Sequence, residues 1–356
     1  MKRAVAMTVF CRTAKPEVWS LLVLVLSATT FSAPQEDLLY DVKHVLGEAE
    51  VEADGSCYFT CPARTPVFFQ AVDADGCVIQ TMRSWSTLMP DEANSCIGCH
   101  ERPSDAASPV RAIALSKGPQ RLKPWKGGTE HPLLARLERE GPLASLDNFM
   151  GVNRIKPVGN TDAGEGFSFR RSVQPFLTAK CISCHGGTAG RPDFRDERPS
   201  GLPDSDLKAM RKFTRAYLEL SCAGACCENV NFAHAQSFAP FRPPYSFGAA
   251  KSKWYRMLAA GHPDASGRPR IRLSDGERRT LALWIDLCVP FCGTYSEEHD
   301  WDDWHVRRYV FAQNRRAAFA WLELNELRAE RGLPPVPLTG FVANVDEPRK
   351  QIRWDE

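Results

Sequence analysis

Cys181-Ile182-Ser183-Cys184-His185 is the stretch from which the rest of the chain is read. Two thiols three positions apart, with a histidine directly after them, are what a covalently held haem requires. The thiols add across its two vinyl groups, and the histidine lies under the ring as an axial iron ligand. Cys96-Ile97-Gly98-Cys99-His100 repeats the pattern, which makes chance a poor explanation for either copy. Thiolates and imidazoles also suit zinc. However, the distance from Cys99 to Cys181 far exceeds the roughly 15 to 20 residues that zinc ribbons close between their pairs. Neither motif follows the βαβ pattern of a thioredoxin-like redox pair. The reading is two haem c groups, bound at Cys96, Cys99 and His100 and at Cys181, Cys184 and His185.

The bulk properties agree with an exported globular protein. A chain of 356 residues with 43% hydrophobic and 25% charged residues has ordinary globular composition and room for about two cores. Lys and Arg number 45 against 43 Asp and Glu, so no basic field calls for nucleic acid. Thirteen cysteines fit an oxidising compartment, periplasmic or otherwise exported. At the start, Lys2, Arg3, Arg12 and Lys15 precede the apolar run Val18 to Leu26 and the small-residue stretch Ser27 to Ala33, the pattern of a secretory signal over residues 1–33. That run is shorter than the roughly 20 residues a spanning helix needs, so no membrane-spanning segment is expected once the signal is removed.

The predicted fold is α+β. Residues 34–105 read as a small antiparallel, β-sandwich-like domain carrying the first haem. Ala49 to Val51, Cys57 to Phe59, Val67 to Phe69 and Val78 to Trp85 are strand-like, and turns stand at Asp54-Gly55 and Asp75-Gly76. The last strand runs toward Cys96, which puts that haem at the sheet edge. Residues 106–166 read as a connecting segment, with a short helix at Pro132 to Glu140 and a basic stretch of Lys117, Arg121, Lys123 and Lys126. That stretch is either a solvated loop or a docking patch for an acidic redox partner protein.

Residues 167–295 read as a mainly α-helical, cytochrome c-like domain carrying the second haem. Helices are expected at Arg171 to Lys180, with Pro175 marking the first turn where that helix starts, at Ser205 to Leu220 and at Lys251 to Ala260. Another begins at the Ser274 and Glu277 capping box and stops at Pro290. Residues 296–356 hold a last helix, reaching about Arg331, and a tail.

His185 takes one axial position of the second haem. Among the remaining histidines, His44, His131, His234, His262, His299 and His305, His262 is favoured for the other, because Gly261 reads as a helix-ending glycine that would fix it in place. For the first haem, His131, Met82 and Met89 are candidate sixth ligands beside His100, and an open iron is the alternative. Cys57, Cys61, Cys77, Cys222, Cys226, Cys227, Cys288 and Cys292 remain for disulfides or buried thiols.

Asp54-Gly55-Ser56, the stretch Pro62 to Gly76, Gln80 to Trp85 and Ser95 to Glu101 resemble the middle domain of the hydrazine synthase alpha subunit family. Phe167 to His185, Pro243 to Trp254, Gly261-His262 and Leu281 to Tyr295 resemble the haem domain that follows it. The resemblance implies two c-type haems, the second held between His185 and His262. In the synthase, a tyrosine four residues after the first motif histidine binds iron, and that histidine helps hold zinc. Ser104 stands at the tyrosine position here. Electron transfer is therefore the expected role, and oxidoreductase chemistry on a small nitrogen or oxygen species at an open first haem is the alternative.

Overall fold

Asp-Gly turns fold the N-terminal part of the chain into hairpins. A computed structural model describes residues 6–10, 20–26, 42–63, 65–82, 85–89, 92–97, 112–126, 128, 130, 131, 134, 166–198, 213–221, 243–263, 266, 268–293 and 321–337. Asp54 accepts from the backbone N–H and the hydroxyl of Ser56, and Gly55 takes the left-handed φ of 82° that this turn demands. Asp73 does the same work at the next turn, accepting from the N–H groups of Asp75 and Cys77 around Gly76 at φ 84°.

The strands are β1 (Ala6–Phe10), β2 (Ser20–Leu26), β3 (Lys43–Glu50), β4 (Ser56–Thr60), β5 (Val67–Val72), β6 (Val78–Thr81) and β7 (Ala93–Ile97). They form a three-stranded sheet in the order β4-β1-β7 and a four-stranded sheet in the order β3-β2-β5-β6. The expected antiparallel pattern holds throughout the larger sheet, whereas the smaller one is mixed because β7 runs parallel to β1. Residues read as a leader supply β1 and β2, and β2 is the strand joining β3 to β5.

Every residue of β5 is buried. A strand reaches that state only when both of its faces are covered, and here alternate side chains feed two cores. Val67 and Phe69 belong to a cluster with Leu46, Phe59, Leu88, Leu122 and Leu134. Phe68 and Val72 join Phe169, Leu177, Leu220, Trp284 and Ile285 in the larger cluster of the helical part. The four-stranded sheet is thus the wall between a sheet–sheet core and a sheet–helix core.

The stretch 112–126, expected as connection, packs onto the β domain. It carries α1 (Ile113–Lys117), and Lys123 and Gln120 bridge to Glu48 and Phe59. Within it Lys117 pairs with Glu52 at 2.6 Å, Lys123 with Glu50 and Arg121 with Glu130, so most of the expected basic patch is matched by acids. The helix expected at Pro132 to Glu140 falls largely outside the described residues.

The helical part begins with α2 (Phe169–Ser172) and α3 (Gln174–Lys180), with Pro175 in the first turn of α3, where a missing N–H leaves no bond unmade. Next come α4 (Ile182–His185), α5 (Arg215–Ser221), α6 (Lys253–Ala260), a two-stranded ribbon of β8 (His262–Pro263) and β9 (Pro269–Ile271), and α7 (Asp275–Asp286). Ser274 and Glu277 complete the capping box of α7. Its apolar face buries Leu281, Trp284 and Ile285, and Trp284 meets Trp254 of α6 edge to face. After α7, Cys288 and Val289 adopt left-handed φ values of 63° and 48°. The Trp284 indole N–H donating to the Pro290 carbonyl and the Tyr217 hydroxyl donating to the Val289 carbonyl hold this corner. Residues 321–330 are helical, and the rest of the expected last helix lies outside the described residues. Among the described residues no helix is long and apolar enough to cross a membrane.

The two parts are joined through Asp286. Its side-chain carboxyl oxygens accept from the N–H of Val78 on β6 at 2.9 Å and of Ala249 ahead of α6 at 2.7 Å, and its carbonyl accepts from the Gln70 amide on β5 at 2.8 Å. Lys43 donates to the Leu287 carbonyl beside it. These bonds fix the helical part on the outer face of the four-stranded sheet.

Candidate functional site

α3 delivers the second motif. Cys181 closes that helix, its N–H bonded to the Leu177 carbonyl, and the one-turn α4 then brings the N–H groups of Cys184 and His185 onto the Cys181 carbonyl at 3.1 and 2.9 Å. A helical turn puts residues three apart on one face, so Cys181 and Cys184 share a side. Cys181 is buried and burial pushes its thiol up to about 11, whereas Cys184 is half-buried.

His185 is held on three sides. Its ring stacks on Phe194, with centroids 4.7 Å apart and planes 22° apart, and its carbonyl accepts from the Phe194 N–H. Its Nδ1 lies 3.0 Å from the Pro192 carbonyl. A carbonyl only accepts, so Nδ1 carries a proton, and in the neutral ring the lone pair is then on Nε2. The loop that supplies Pro192 and Phe194 is tied to α3 by the buried Gln174, whose amide donates to the Phe194 carbonyl at 3.0 Å. An Arg195–Asp193 pair braces it further, and the Arg195 guanidinium, more than any other group, holds the Asp193 carboxyl below its ordinary range.

His262 sits where α6 ends. Gly261 takes φ 101° there, its N–H bonded to the Leu258 carbonyl, and His262 pairs with Ile271 across the β8–β9 ribbon. Its Nδ1 lies 2.8 Å from the Pro263 carbonyl, so Nδ1 carries a proton and the lone pair of the neutral ring is on Nε2. The rings of His185 and His262 have centroids 6.0 Å apart at an interplanar angle of 50°. Two imidazoles each bonded at about 2 Å to one metal between them would place their centroids roughly 6 Å apart. The donor set, its tautomers and its spacing fit a haem iron between the two rings, with Cys181 and Cys184 available for thioether bonds. The sequence names His185 and His262, whose rings the structure brings side by side, but gives no sign of Gln174, Phe194 or the Pro192 carbonyl around them.

At the first motif Cys96 lies on a separate strand, β7, at the edge of the smaller sheet, whereas β6, the strand expected to lead into the motif, belongs to the larger sheet. Cys96 packs against the sheet–sheet core, and burial raises its thiol. Cys99, His100 and Ser104 lie outside the described residues. Of the candidate sixth ligands, Met89 is 47% exposed, Met82 packs against both cores, and His131 is buried. His131 Nε2 lies 3.4 Å from His44 Nδ1. Burial, with the neighbouring His131 adding to it, holds His44 down at about 3, and burial holds His131 at about 4, so both rings are neutral. Cys57, Cys61 and Cys77 are buried, unbridged thiols that burial pushes up to about 12. Cys222, Cys226 and Cys227 lie outside the described residues. Among the described residues no group of three or more His, Cys, Asp or Glu side chains is assembled to hold a metal ion.

Residues 26–101 match the family described as hydrazine synthase alpha subunit middle domain. Over 212 residues the chain is 25% identical to hydrazine synthase subunit alpha of Kuenenia stuttgartiensis, a match covering 53% of this chain and 25% of that protein. The solved structure of Kuenenia stuttgartiensis hydrazine synthase has a similar fold, with a TM-score of 0.51 at 17% identity over 81% of this chain and 43% of the solved chain. The chain therefore spans about a quarter of the curated relative it matches.

Proposed function

We propose that this chain, a carrier of the hydrazine synthase alpha subunit middle domain, is an exported di-haem c-type cytochrome that transfers electrons. The observation that supports this most is the His185–His262 pair, two imidazoles 6.0 Å apart whose Nδ1 atoms are each engaged by a proline carbonyl. Cys181 and Cys184 would hold the second haem covalently, and His185 and His262 would bind its iron. Cys96, Cys99 and His100 would hold the first. A bound haem supplies a one-electron couple. What the chain itself supplies is rigidity. Phe194 and Gln174 hold His185, and the α6 terminus and the β8–β9 ribbon hold His262. Ligands fixed in this way move little between oxidation states, which is what fast electron transfer needs. A redox partner protein belongs to this proposal, although three of the four basic side chains in the 117–126 stretch, Lys117, Arg121 and Lys123, are already paired with acids.

A second reading, an oxidoreductase acting on a small nitrogen or oxygen species at the first haem, draws on the similarity to a hydrazine synthase subunit. Optical and EPR spectra of the full chain, made in a host that attaches haem c, separate the two. Two six-coordinate, low-spin haems are expected for electron transfer. A high-spin signal that shifts with added nitric oxide or peroxide would favour the second reading. Export is part of the proposal and is tested by N-terminal sequencing: a start near Pro34 would mean that the mature protein lacks β1 and β2, so that β3 and β5 lose the strand between them. A mature chain retaining Ser20–Leu26 would contradict removal of a leader.

A further inference from the structure

The geometry points to Lys180 as the positioning residue that sets the spacing between His185 and His262, an inference that rests on the reading of those two histidines as ligands of one haem. The two rings stand 6.0 Å apart but come from different elements, His185 from the turn that follows α3 and His262 from the ribbon that follows α6. Phe194 and Pro192 hold the first ring, and Ile271 pairs with His262, so each histidine is fixed to its own element. Lys180 ties one element to the other. It is the last residue of α3, directly before Cys181, and its ammonium donates to the Arg272 carbonyl at 3.1 Å and to the Glu277 carboxylate.

Both acceptors lie on the His262 side. Arg272 follows Ile271, the residue across the ribbon from His262, and the same Glu277 oxygen accepts from the Ser274 N–H at 2.6 Å as it caps α7. One ammonium thus spans the end of α3, the segment behind β9 and the start of α7. Lysine suits this place because its ammonium offers three donors on a flexible stem, and a carbonyl and a carboxylate take two of them. The side chains of Lys180 and Glu277 are 31% and 25% exposed, so water screens this pair less than an ion pair standing free at the surface. Without the clasp, α3 with Cys181, Cys184 and His185 is free to drift from the ribbon that carries His262. Ligands work only when held within about 0.5 Å of their productive geometry, so a drift of that size weakens the iron bond to His262 and lets high-spin iron form.

The test is the EPR spectrum of the full chain with its haems in place, for wild type, Lys180→Met and Lys180→Arg, with urea unfolding and iron content measured on the same samples. Methionine keeps the apolar stem and removes the donors, whereas arginine keeps a cation that can bond both acceptors. Lys180→Met is expected to retain its iron and lose part of one low-spin signal to a high-spin one, and Lys180→Arg to keep the wild-type signal. A low-spin signal in Lys180→Met with the g values and intensity of the wild type overturns the inference, even if the urea midpoint falls, because Lys180 would then serve only the stability of the fold. Loss of the signal in Lys180→Arg as well as in Lys180→Met also overturns it. If Lys180→Met does not fold, Glu277→Gln carries the test: glutamine still serves the capping box while the charge that pairs with Lys180 is gone, and an unaltered low-spin signal there overturns the inference. Failure of the underlying haem reading shows separately, as a wild-type low-spin signal that survives intact in His262→Ala.

Discussion

Replacing Asp286 with alanine should loosen the helical part from the sheet, by an amount that depends on pH. The substitution removes the acceptor for the N–H groups of Val78 and Ala249, and the surrounding residues leave no room for bulk water: Asp286 is 5% exposed. A buried backbone N–H without a partner costs about 1–3 kcal/mol, so two of them cost about 2–6 kcal/mol, a large share of the 5–15 kcal/mol typical of a domain. The pH dependence follows from the carboxyl itself. Burial is the largest influence on it and pushes it up to about 8 from 3.8, against the two N–H bonds that favour the charged form. Between those values the unfolded chain has released the proton and the folded chain keeps it. The stabilisation is therefore complete below pH 4 and is lost as pH rises toward 8, at up to about 1.4 kcal/mol per pH unit. Urea unfolding of wild type and Asp286→Ala between pH 5 and pH 8.5 reads both effects. The variant should unfold at markedly lower urea at pH 5, and the gap should narrow as pH rises. Equal midpoints at pH 5, or a gap that widens with pH, would refute the role given to Asp286.

Gly248→Ala should destabilise through the same contact, because an added Cβ would fall 2.2 Å from Asp286 Oδ1 at a φ of 71°; a thermal scan with no loss of midpoint would contradict this. His262→Ala should convert one low-spin haem to high spin with both haems retained, read by EPR, since His185 and the thioethers survive; an unchanged spectrum would move the ligand to another residue. Gln174→Leu should cost about 1 kcal/mol and broaden the low-spin signal of the second haem, because the Phe194 loop that holds the His185 ring loses its tie to α3.

What could be read from the sequence was local. The capping box at Ser274 and Glu277, the turns at Gly55 and Gly76, the helix start at Pro175 and the helix end at Gly261 each depend on a few adjacent residues, and each appears where the residue types put it. What escaped depended on partners far along the chain. The run Val67 to Val72 announces a strand, but its burial on both faces arises from two cores that meet there. The mixed order of the smaller sheet depends on β1, from a stretch that reads as a leader. Asp286 looks like a surface residue near a helix end until β6 closes over it. At the site itself the Cys and His residues proposed to hold haem were legible because their spacing is chemical, whereas the Pro192 carbonyl that meets the His185 ring comes from the loop after the motif.

Cys96-Ile97-Gly98-Cys99-His100 and Cys181-Ile182-Ser183-Cys184-His185 are each proposed to hold one haem covalently. Mass analysis of the denatured full chain, made in a host that attaches haem c, tests this directly. Two haems should be retained, falling to one when Cys181 and Cys184 are both changed to alanine. A denatured wild-type chain carrying no haem, or only one, would contradict it.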